Sequence, residues 1–177
     1  MKSFKGFKTN DISYLFQAPN GVAGDLTRTD ESNVEPVQMV PLAGVYPAAF
    51  GIPVKYVTGG IQQLSGSETA AQFAGVLIRE VPAIGGTGSD TTFDGSPYPG
   101  VPVGLCVRGY VSVLCGTGTP ARGGTVYMQV NTGTQAIGTF RADGTDSGNA
   151  VALTATQAEW ATDGVDANGN AELRIAR

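Results

Sequence analysis

No segment of this chain keeps a helical period for more than about ten residues before a turn signal ends it. Glycine, proline and Asn/Asp clusters return at roughly 8–12-residue intervals, the spacing of sandwich and barrel strands. Glycine fills 26 of 177 positions, about twice its usual ~7% share. Tight turns need glycine, and a chain with many strands has many turns. Between the turns, apolar residues alternate. Ile52, Val54 and Tyr56 stand against Pro53, Lys55 and Val57. Val126, Met128 and Val130 stand against Tyr127 and Gln129, and Leu173 and Ile175 share one face. Ala152–Ala161 is the nearest approach to a helix, and Thr154 and Thr156 weaken it. The pattern predicts an all-β fold, an antiparallel sandwich or barrel of jelly-roll-like type.

In chain order, strands are predicted near residues 52–57, 74–80, 103–107, 110–115, 125–131, 135–141 and 171–176. Thr58-Gly59-Gly60 turns the first of these back on a short strand at 61–64, and Ala70–Phe73 is one helical turn. Residues 101–115 read as one strand broken at Gly109, or as two. Gly100-Val-Pro-Val echoes Gly51-Ile-Pro-Val, so both segments are expected to start strands. Residues 1–40 differ from the rest: they carry aromatics but little period. They are read as an extended N-terminal arm that packs on a partner, with an edge strand on its own domain as the alternative. Residues 41–177 form the β domain, and its Gly/Ser/Thr-rich loop at 83–100 is the best candidate for an exposed insertion.

Composition removes several function classes. Histidine is absent, and with it the commonest general base and the commonest zinc ligand. Cys106 and Cys115 are too few for a zinc site without histidine; they read as buried, reduced thiols, with a disulfide between them as the minority alternative. A formal charge of −4 argues against coating nucleic acid, which calls for a basic face. No apolar run reaches the ~18–20 residues of a membrane helix. The N-terminus lacks the apolar core of a secretion signal, so synthesis in a cytoplasm is expected.

The local motifs read as turns. Gly116-Thr-Gly118-Thr-Pro-Ala121 fits G-x-G-x-x-A in letters only, because Pro120 and Gly123-Gly124 lead into a strand rather than a helix. Asp163, Asp166, Asn168 and Asn170 lack the glycine and carboxylate spacing of a calcium loop, and Asp143, Asp146 and Asn149 read the same way. Glu80, Asp90 and Asp94 are an implausible catalytic pair, because two of the three sit in the glycine-rich loop. Lys2, Lys5 and Lys8 with Phe4 and Phe7 could stack on single-stranded nucleic acid, but docking on protein fits them better. No catalytic, cofactor or metal set emerges. The residues expected to touch a partner are Phe4, Phe7, Ile12, Tyr14, Leu15 and Phe16.

Five segments occur in order: Gly51-Ile-Pro-Val-Lys-Tyr, Glu68-Thr-Ala-Ala-Gln-Phe-Ala-Gly-Val-Leu-Ile-Arg-Glu, Arg108-Gly-Tyr-Val-Ser-Val, Gly123-Gly-Thr-Val-Tyr-Met-Gln-Val and Gly169-Asn-Ala-Glu-Leu-Arg-Ile. Together, over roughly residues 40–177, they resemble the structural cement (capsid decoration) proteins of tailed bacteriophages. The resemblance implies a non-enzymatic virion protein on the outer surface of the capsid. It would bind across major capsid protein subunits, self-associate as a dimer or trimer, and involve neither nucleic acid nor membrane. A phage tail or surface domain that binds carbohydrate or host is the alternative, with Phe93 and Tyr98 as its exposed aromatics.

Overall fold

A computed structural model describes residues 21–79 and 102–176. Ten strands and one turn of 3-10 helix make up the described chain. The strands are β1 (Leu26–Gln38), β2 (Pro53–Val57), β3 (Gly60–Gln63), β4 (Gly75–Ile78), β5 (Pro102–Leu114), β6 (Tyr127–Gln129), β7 (Phe140–Arg141), β8 (Ala150–Ala152), β9 (Ala158–Trp160) and β10 (Asn170–Ala176). The 3-10 turn, Ala70–Gln72, is closed by a capping box between Thr69 and Gln72. The fold is all-β, and every paired strand is antiparallel to its neighbour.

Strand β5 organises the larger sheet, whose order is β3-β2-β4-β5-β10-β9, with β1 also on β5. Cys106 lies between Val34 of β1 and Val76 of β4. Val111 lies between Leu26 of β1 and Leu173 of β10. So β1 runs along one edge of β5, while β4 and then β10 share the other. The smaller sheet, β7-β6-β8, covers the opposite side of the main core.

Two cores result. The larger fills the space between the sheets with Phe73, Val76, Cys106, Val111, Val113, Met128, Phe140, Trp160, Leu173 and Ile175. The smaller holds Met39, Val54, Ile61, Ala74, Leu77, Val103 and Leu105. It is enclosed because the end of β1 curls back onto β3: the Val40 N–H donates to the Ile61 carbonyl at 2.7 Å. The chain approaches closely there, and a Cβ on Gly60 would collide with the Gln38 carbonyl.

Val107 divides the two halves of β5. Before it, Val103 and Leu105 face the small core. After it, Val111 and Val113 join Cys106 in the large one. Side chains alternate along a strand, so residues an odd number apart should face opposite ways. A slip in the β1–β5 register, where Asn33–Val34 faces Arg108–Cys106 and Val107 is left over, resets that parity. Cys106 and Cys115 therefore border the same core despite their odd separation. Both are free thiols.

The prolines follow strand rules. Pro53 and Pro102 each open a strand, as the repeated Gly-x-Pro-Val suggested, and Pro36 lies in β1, which has a single strand partner. Two expectations change. Residues 26–38, the distal part of the segment read as an arm, form β1 on the domain itself and take the edge-strand alternative. Of residues 135–141 only Phe140–Arg141 is strand, because hydrogen bonds from Thr134 to Asp146 gather the preceding residues into a turn.

Candidate functional site

The outward face of β1, β5 and β10 carries a set of charged side chains with defined geometry. It starts from the register of β10. Ala171, Leu173 and Ile175 point into the core, so Glu172 and Arg174 point away from it. Glu172 is nonetheless 7% exposed, because β1 supplies a clasp. Arg28 reaches both carboxylate oxygens, with its NH2 group 2.8 Å from Oε2 and its Nε 3.2 Å from Oε1. The Thr27 hydroxyl donates to Oε1 as well. The Arg28 guanidinium also lies 3.9 Å from the centroid of the Tyr110 ring. The hydrogen bond to Glu172 raises the Arg28 pKa above its ordinary value. One strand over, Arg174 pairs with Glu159 at 2.6 Å.

Beside the clasp, β1 and β5 fall out of step. Between the Leu26–Val111 and Gln38–Pro102 pairs, β1 advances twelve residues and β5 nine. The surplus bulges out around Thr29–Ser32, held by a hydrogen bond from the Ser32 hydroxyl to the Arg28 carbonyl at 2.7 Å. The bulge walls an open groove of about 600 Å³. Asp30 and Glu31 stand on one side, Arg174 and Ala176 on the other, and Arg108 to Tyr110 lie along the floor.

Two further charged clusters are structural pins. Arg141, 1% exposed, donates to Asp143 at 2.6 Å and to Asp146 at 3.1 Å. It also reaches Gln129 Oε1 and the Thr134 and Thr145 hydroxyls. Hydrogen bonds from Thr145 and Arg141 lower the Asp143 pKa to about 2. Asp146 is held lower still by Asn149 and Gln129. Glu68 pairs with Lys55 at 2.6 Å. Burial alone would raise the Glu68 pKa; hydrogen bonds from Lys55, Ser65 and Gly66 outweigh it, and the net shift is downward. These carboxylates are ionised and fully engaged, a poor state for acid–base work. Among the described residues, no three His, Cys, Asp or Glu side chains gather as a metal-binding group.

The turn motifs are turns. Residues 116–124 lead into strand β6 without a helix. Asp166 Oδ1 accepts the N–H groups of Asn168 and Asn170, closing the connection before β10. Asp143, Asp146 and Asn149 form the Arg141 cage. Phe4, Phe7, Ile12, Tyr14, Leu15 and Phe16, the loop at 83–100 with Asp90, Phe93, Asp94 and Tyr98, and Glu80 lie outside the described residues.

The family model described as "Structural cement protein (E217 gp24/Pam3 gp6)" matches residues 11–176. The chain belongs to this cement protein family. The match spans nearly the whole sequence, so it covers both sheets and both cores. A chain from the solved structure "The capsid of Myoviridae Phage XM1" has the same fold, with a TM-score of 0.64 at 18% identity. The likeness covers 91% of this chain and 93% of that one. No curated protein matches the sequence. In this chain the fold places a mixed-charge surface on β1, β5 and β10. The sequence alone missed it because Arg28 and Glu172 are 144 residues apart. Their one local trace was Glu172, which alternates with the apolar Ala171 and Leu173 in β10.

Proposed function

We propose that this chain is a structural protein of the phage virion that decorates the outside of the capsid. It would bind across neighbouring major capsid subunits and hold them together, without a chemical step. The observation that carries this reading is the family match over residues 11–176. A ligand that binds only the assembled shell stabilises it by mass action. Many modest contacts on one shell then add through multivalency. The protein would be made in the host cytoplasm and would self-associate as a dimer or trimer on the lattice.

Within this reading, the N-terminal segment carries much of the contact through Phe4, Phe7, Ile12, Tyr14, Leu15 and Phe16. Each such side chain stabilises by roughly 1.5–3 kcal/mol when fully buried, before ordering costs are subtracted. The test is co-sedimentation with purified mature heads. Full-length protein should pellet with heads and delay their thermal disruption. Protein lacking residues 2–16 should stay folded and bind more weakly. Equal occupancy by the truncated protein would move the contact elsewhere. Specific binding to cells or glycans without binding to heads would favour a receptor-binding domain.

A further inference from the structure

Several charges of the described residues are already held in ion pairs. Arg28 holds Glu172, Arg174 holds Glu159, Arg122 holds Asp163, and Lys55 holds Glu68. Three charges that line the groove are different. Arg108, Asp30 and Glu31 are exposed, and none forms an ion pair among the described residues. Asp30 and Glu31 lie on the β1 bulge, and Arg108 lies on β5 beneath it. Bulges at sheet edges re-aim side chains and block pairing with stray strands. This one also lifts two carboxylates to the lip of a groove whose floor carries an unpaired guanidinium.

The signs of these charges decide what could lie there. A polyanion, whether nucleic acid or an acidic glycan, would gain Arg108 and be repelled by Asp30 and Glu31. A purely basic segment would meet the opposite conflict. Only a ligand presenting both signs within a short span satisfies both walls, and that is a polypeptide. The groove is open and is lined by three consecutive residues each of β5 and β10, so a segment laid along those strands fits it.

We propose that this groove is the docking site for an extended segment of a capsid subunit, one that offers an acidic side chain to Arg108 and a basic one to Asp30 and Glu31. The proposal rests on the capsid-decorating reading above and names the surface through which it would act. Exposed pairs of this kind set register and association rate more than raw affinity, and they weaken with salt.

The test uses full-length protein and purified heads at about 50 mM and about 500 mM salt, either side of the point where the screening length falls well below ~10 Å. The variants are Arg108→Glu, and Asp30→Lys combined with Glu31→Lys. All three positions are exposed, so melting curves should match wild type and confirm folding. Each variant should bind heads about tenfold more weakly at low salt, and the difference should shrink at high salt. Wild-type binding by both variants at low salt would overturn the proposal. A photo-crosslinker at position 31 gives an independent readout: a product joined to the major capsid protein supports it. A product joining two copies of this chain would overturn it and make the groove a self-association surface. If wild-type protein itself ignores heads, the decorating reading fails first and takes this proposal with it.

Discussion

Ser32 stands where a side chain at position 109 would have to be. A Cβ built on Gly109 would lie 2.6 Å from the Ser32 Cα, and the residue holds φ at +128°. Both the space and the backbone therefore demand glycine. Gly109→Ala should cost about 2–3 kcal/mol, combining backbone strain with displacement of the bulge. Thermal melting checks it. An unchanged midpoint would show that the β1 bulge can move aside freely.

Arg141 should be the least replaceable charge in the molecule. Its guanidinium is buried, and it ties together Asp143, Asp146 and Gln129 from different parts of the smaller sheet and its turns. Removing one partner of a buried pair strands the others, typically at about 3–5 kcal/mol. The two carboxylates keep some contact with water, with side chains 26% and 11% exposed. The expected loss for Arg141→Met is therefore smaller, about 2–3 kcal/mol. Arg141→Lys should recover only part of it, because one ammonium cannot span the same acceptors. Denaturant unfolding of both variants measures the difference.

The same cage sets an acid limit. The folded-state pKa of Asp143, about 2, lies below its ordinary 3.8. Ionised Asp143 therefore stabilises the fold fully above pH ~4, and this contribution is lost as pH falls through 4 towards 2. Asp146 shifts in the same direction and extends the loss downward. Stability measured against pH should be flat with respect to these groups from neutral to about pH 5 and fall below pH 4. In Asp143→Asn the fall between pH 4 and 2 should be shallower; a slope identical to wild type would be evidence against the cage as its source.

Cys106 should be chemically silent in the native protein. Burial pushes its thiol up to about 11, so almost none is thiolate at neutral pH. Burial also raises Cys115, which is only half-buried and accepts more contact with reagents. A thiol reagent at pH 8 should label Cys115 slowly and Cys106 only after unfolding. Rapid labelling of Cys106 in folded protein would contradict its place in the core.

What the sequence made legible was local. The β2–β3 hairpin was readable because Thr58-Gly59-Gly60 and the Val54–Ile61 alternation sit within a few residues of each other. The β10 strand was readable because one face, Leu173 and Ile175, is buried. Strand β1 was not, since most of it is exposed on an edge and gives no alternation to read. Its register is set by β5, more than sixty positions further on. The Asp143–Asn149 stretch was readable as a turn. The arginine at its centre was not, because arginine is normally exposed and its burial depends on Gln129 and Thr134 reaching it from elsewhere. The break at Gly109 was visible, but the way Cys106 and Cys115 face is set by the extra residue Val107, which only the pairing with β1 reveals.

Strand β5 is also a mechanical splice. Strands β1 and β10 flank it on opposite edges and both run antiparallel to it. The described chain begins just before β1 and ends with β10. A pull on those two ends would act along the strands in opposite directions. The hydrogen bonds to β5 cross that direction, so they would be loaded in shear and share the force rather than open one after another. Pulling from residues 21 and 176 should therefore meet a higher unfolding force than pulling from residues 53 and 63, which peels the β2–β3 hairpin apart pair by pair.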